Sequence, residues 1–171
     1  GFFILAPAGF DYFSTLMEPK IVTSPQRKLV GRHLTTNFVQ NRTPELWRNF
    51  MKDRHLLRNT IGSELYSIAI YDPTYFSNFK PSHNFEKWAA VEINDYDQLP
   101  ENMEPLLLPA GLYAVFVHRG PSTDTSTFHY IFSKWLPSSD YVLDDRPHFE
   151  VMGEKYKHDQ PDSEEEIWIP I

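Results

Sequence analysis

With 171 residues, 41% of them apolar and 15% aromatic, the chain can build one substantial core, and its length favours one domain over two. The absence of cysteine excludes disulfides, thiolate catalysis and Cys-based zinc sites. Residues 1–94 carry 11 Lys/Arg against 8 Asp/Glu, whereas residues 95–171 carry 5 against 15. That asymmetry argues against a nucleic-acid partner and favours cationic or neutral ligands, although a solvated acidic surface is the commoner cause of such a bias.

The apolar stretch Phe2–Phe10 is too short to span a bilayer and has no basic residue before it, so no signal peptide or membrane anchor is expected and the protein is read as cytoplasmic. Met17 is a candidate start of the folded unit, with residues 1–17 assigned to an N-terminal extension and 18–171 to the domain. Lys20–Thr23 and Lys28–Thr36 read as strands separated by a Ser24-Pro25 break. Thr43 as N-cap, Pro44 in the first helical position and Glu45 beside the positive helix end then start a helix. Its apolar face is Leu46, Trp47, Phe50, Met51 and Leu57.

Strands at Glu64–Tyr71 and Lys87–Ile93 follow, joined by a Pro/Asn/Ser-rich connection. The order repeats in the second half: a strand at Gly111–His118, a helix from about Ser122 to Trp135 stopped by Pro137, and strands at Pro147–Met152 and Glu165–Ile171. A β-α-β-β unit with a one-sided apolar helix cannot bury its faces alone. The two units therefore predict an α+β fold: an antiparallel sheet with two main helices and a central groove between the halves.

Alternation along Pro147–Met152 sets Phe149 and Val151 on one face and His148, Glu150 and Met152 on the other. The same logic turns Ala89, Val91, Ile93, Ile167, Ile169 and Ile171 into the core and sets Trp88, Ala90, Glu92, Glu166 and Trp168 opposite. The expected site joins Glu150 and Met152 to Tyr113, Trp88, Trp168 and Tyr71 as walls, with Phe38 and Trp47 closing one end. A carboxylate among rings can pair with a bound cation or, with its pKa raised by desolvation, act as a general acid or base. The plainer alternative is a solvent-facing glutamate, or one paired with Arg146 or His148. The seven histidines show no compact ligand spacing, so no metal site and no cofactor are expected.

Taken together, Arg27–Gly31, Glu64–Ile68, Glu86–Glu92, Leu108–Phe116, Arg146–Met152 and Glu166–Ile171 make the sequence, from Glu18 to Ile171, resemble the GyrI-like or AraC-effector-binding family, whose architecture is shared with the SOUL proteins. The resemblance implies a small-molecule-binding domain in which the glutamate after the Pro-x-aromatic pattern, here Glu150, projects into the groove and contacts cationic aromatic drugs. Family members occur as sensing halves of transcription regulators, as stand-alone drug-binding or toxin-antagonist proteins, and as hydrolases of cyclopropane-bearing toxins. A stand-alone domain binding a planar hydrophobic ligand is the leading expectation, with no direct DNA contact because no helix-turn-helix precedes the repeat. A hydrolase with Glu150 as catalytic residue is the alternative. A protein-binding inhibitor using the acidic segment Asp159–Glu166 ranks below both, and haem binding lower still because no histidine has an assignable axial role.

Overall fold

The computed structural model describes residues 17–171. The apolar stretch Phe2–Phe10 lies outside them. The first half runs β1 (Lys20–Ser24), β2 (Arg27–Thr36), α1 (Thr43–Asp53), β3 (Leu65–Ile70) and β4 (Phe85–Glu92). The second runs β5 (Glu104–Leu108), β6 (Gly111–Arg119), α2 (Ser126–Tyr130), β7 (His148–Met152) and β8 (Glu164–Pro170). A π-helical stretch (Ile131–Trp135) and a last turn (Leu136–Ser138) extend α2.

All eight strands form one antiparallel sheet in the order β1-β6-β8-β7-β3-β4-β2-β5, curled into a half-barrel. The order is symmetric about the central β3–β7 pair. Each half hands its first strand to the other, β1 pairing with β6 and β5 with β2, so neither half closes by itself. The curl demands a close approach at Gly31, where any Cβ would lie 2.0 Å from the carbonyl oxygen of Ala89. Sequence patterning does not reveal β5, because Glu104 and Pro105 interrupt it. As an edge strand it tolerates the proline's missing N–H.

Both faces of the sheet are buried. One carries Leu29, Tyr66, Ile68, Trp88, Tyr113, Val115, Phe149 and Trp168, filling the inside of the curl. The other carries two separate cores, one under each helix. Leu46 and Phe50 of α1 pack on Val30, Ala89, Val91 and Ile93, and Ile131 packs on Ala114, Phe116, Ile167 and Ile169.

Two helix starts differ from expectation. Thr43 is the first helical residue rather than the cap: the Thr43 N–H donates to Asn41 Oδ1 at 3.0 Å, and the Arg42 N–H to Thr36 Oγ1 at 2.8 Å. The second helix begins at Ser126, whose N–H donates to Asp124 Oδ1 at 2.9 Å, and it runs past Pro137. There the Ser138 hydroxyl donates to the carbonyls of Lys134 and Trp135 at 2.8 and 3.0 Å. Buried His118 ties α2 to the sheet, with Nδ1 2.8 Å from Thr127 Oγ1 and Nε2 donating to the Pro121 carbonyl at 3.0 Å. Among the described residues no helix is long and apolar enough to cross a membrane.

Candidate ligand cleft

The two helices cover the flanks of one face and leave its centre, over β3 and β7, between them. Residues paired directly across neighbouring strands share a face. Glu150 pairs with Ser67 on one side and Ile167 on the other, and Ser67 pairs with Ala89. Glu150 therefore lies on the helix side, in a cleft floored by Ser67, Ala69 and His148. Tyr71 and Lys87 border it, and Phe128 and Phe132 of the second helical segment form a wall. Its free space is about 40 Å³.

Rings from the connection after β3 close one end. Tyr71 meets His148 edge-on at 5.0 Å, and Phe76 stacks on both Phe132 (5.2 Å) and His148 (5.3 Å). Burial holds His148 down to about 4, so its imidazole is neutral at physiological pH. Burial, with Tyr75 and Glu150 adding to it, pushes the Tyr71 phenol well above its ordinary value.

A second carboxyl lies next to Glu150. β8 turns Glu165 to the same side as Ile167 and Ile169, and only 6% of it is exposed. Desolvation, reinforced by the charge and hydrogen bonding of Glu150, pushes the Glu165 carboxyl up to about 8, against a smaller opposing effect from Lys87.

The expected site is split by the sheet. Tyr71 is with Glu150, and Met152 shares its face, buried opposite Leu65. Trp88, Tyr113 and Trp168 turn their rings to the other face: Phe149 pairs with Trp168 across β7–β8, and the Phe149 ring stacks on that indole at 5.1 Å. Trp168 borders the cleft, yet its ring packs against Tyr113 at 5.7 Å and its N–H donates to Glu166 at 2.8 Å. Alternation within each strand is as expected. The error lay in treating the Phe149 core and the Ala89/Ile167 core as one face, when the sheet buries both.

Phe38 is 58% exposed and packs on Phe85 and Phe79, and Trp47 packs edge-on against Phe50, so neither closes the cleft. Sequence reasoning missed Glu165, Lys87, Phe128 and Phe132 as neighbours of Glu150. The i, i+4 spacing of Phe128 and Phe132 and the alternation Glu165, Ile167, Ile169 carried that signal. The acidic segment is also less free than its charge suggests. Glu164 pairs with Arg119 and Lys155, Lys157 with Asp162, and Glu165 is buried.

A roomier depression of about 220 Å³ lies beside α1. Its charged groups are already paired, Arg42 with Glu45 and His33 with Glu104 at 2.8 Å each, and Arg32 with Asp53 beyond its rim.

Residues 17–171 match the family described as GyrI-like small molecule binding domain. The chain belongs to the GyrI-like family. The transcriptional regulator BrlR of Pseudomonas aeruginosa is 25% identical over 158 residues, a match spanning 91% of this chain and 56% of BrlR. Among solved structures, SAV2435 bound to tetraphenylphosphonium superposes with a TM-score of 0.67 at 18% identity, over 90% of this chain and 93% of that one. EcmrR in complex with DNA gives 0.65 at 15% identity, over 91% of this chain and 57% of EcmrR. At such identities the structures share the fold. This GyrI-like chain spans little more than half the length of BrlR and of EcmrR.

Proposed function

We propose that this GyrI-like domain binds a hydrophobic aromatic cation in the cleft between its helices, with Glu150 as counter-ion. The supporting observation is a carboxylate at the floor of a cleft walled by Tyr71, Phe128 and Phe132 beside a neutral His148. Ring faces and a carboxylate together favour a hydrophobic cation over a neutral molecule of the same shape. The tetraphenylphosphonium bound to SAV2435 has this chemistry. Pockets for drug-sized ligands hold about 300 Å³ or more, so an occupant must part the Phe128/Phe132 wall. The π-helical stretch that contains Phe132 is a natural place for such an adjustment. Isothermal calorimetry with tetraphenylphosphonium is expected to show one saturable site, and a titration without binding contradicts the proposal.

The paired carboxyls favour a second reading, hydrolysis of a strained cyclopropane. Glu150 would take a proton from water as its oxygen bonds to one ring carbon, while Glu165 donates its proton to the atom that receives the electron pair of the breaking C–C bond. Water is thereby added across the ring, and proton transfer from Glu150 to Glu165 restores the pair. Incubation with a cyclopropane-containing alkylator, followed by mass spectrometry, is expected to show a product heavier by one water. An unchanged substrate removes this reading and leaves binding.

A further inference from the structure

We propose that Glu165 is a second functional carboxyl of the site, set behind the cleft beside Glu150, and that Glu150 and Glu165 hold one proton between them which an entering cation displaces. This rests on the cation-binding reading above and adds a residue and a stoichiometry to it. Glu165 is more than nine-tenths buried, and its Oε2 receives no hydrogen bond among the described residues. The β7–β8 register, with Glu150 opposite Ile167, sets Glu165 on the same face of the neighbouring strand, diagonal to Glu150, which lines the cleft. Two carboxyls so placed, one of them buried, share a proton, because adjacent negative charges repel strongly where water is excluded.

The surrounding elements do not supply a full counter-charge. His148 on β7 is neutral, with a pKa held down to about 4. Tyr71 after β3 and Tyr156 after β7 are both pushed above their ordinary phenol values, Tyr156 chiefly by burial and further by Glu165 and Glu150. His118 on β6 commits its ring nitrogens to Thr127 and Pro121. The second helical segment presents Phe128 and Phe132, whereas His129 and Lys134 are exposed. Lys87 on β4 acts on Glu165 more weakly than burial does. The pair thus keeps one proton and one negative charge, and a cation beside it favours loss of that proton.

Tetraphenylphosphonium is the probe, because its charge is permanent and any proton exchanged belongs to the protein. Calorimetry at pH 7 in two buffers of different ionisation enthalpy is expected to show release approaching one proton per cation bound. Affinity should rise by up to about tenfold per pH unit between pH 6 and 8 and level off above. Glu165→Gln is expected to bind without proton release and with a flat pH profile. Wild-type binding with no proton exchange, or undiminished release from Glu165→Gln, overturns the inference and leaves the cation reading standing. Absence of binding at every pH removes both. A 13C NMR titration of the glutamate carboxyls in the unliganded wild type does not depend on the variant's folding. One carboxyl titrating near 8 is expected. If every carboxyl titrates below about 5.5, the inference fails.

Discussion

The two faces of the central β3–β7 pair come from the same short strands and carry opposite chemistry. On the inside of the curl, Tyr66, Ile68 and Phe149 join Trp88, Tyr113 and Trp168 in an aromatic core. On the helix side, Ser67, Ala69, His148 and Glu150 alternate with them, and the two helices leave a gap above. The aromatic face is packed core, and the polar face is where the proposed site lies.

Removing a ring from the aromatic face should have the largest effect. Trp168→Ala deletes an indole packed on Phe149 and Tyr113 and is expected to lower unfolding free energy by about 3–5 kcal/mol in urea denaturation. A loss below about 1 kcal/mol would show that this face is not the main core.

A smaller effect separates the faces by pH. His148, buried and neutral, has a pKa of about 4 in the folded protein against 6.5 for the free side chain. As pH falls through that window the unfolded chain takes up the proton first. Stability is therefore complete above about 6.5 and declines toward 4, by on the order of 2–3 kcal/mol. His148→Gln should flatten this decline between pH 7 and 4.5, and an unchanged slope would place the acid sensitivity elsewhere.

Most of the fold was legible because its signals are local. The apolar faces of both helices, the alternation in β4, β7 and β8 and the apolar runs of β3 and β6 can be read residue by residue. Only β5 escaped, a five-residue edge strand interrupted by Pro105. The candidate site was legible only within each strand. The structure puts Glu150, Met152 and Tyr71 on one face, and Trp88, Tyr113 and Trp168, grouped with them from the sequence, on the other. Alternation fixes which residues of one strand share a face; it does not say which face of the next strand continues it. That depends on interstrand register, here Glu150 with Ile167 and Phe149 with Trp168, and register is a tertiary property. Burial of Glu165 is implied by its alternation with Ile167 and Ile169, but the residue sits in a run of acidic residues that reads as a solvated turn.

The central claim is that a ligand is held on the helix side, by Glu150, and not against the aromatic face. Its most direct test is calorimetric titration of tetraphenylphosphonium into Glu150→Gln and Trp88→Phe, with far-UV circular dichroism confirming that both are folded. Binding is expected to be at least about tenfold weaker for Glu150→Gln, which loses one close charge interaction, and unchanged for Trp88→Phe. Unchanged binding by Glu150→Gln together with weakened binding by Trp88→Phe would contradict it.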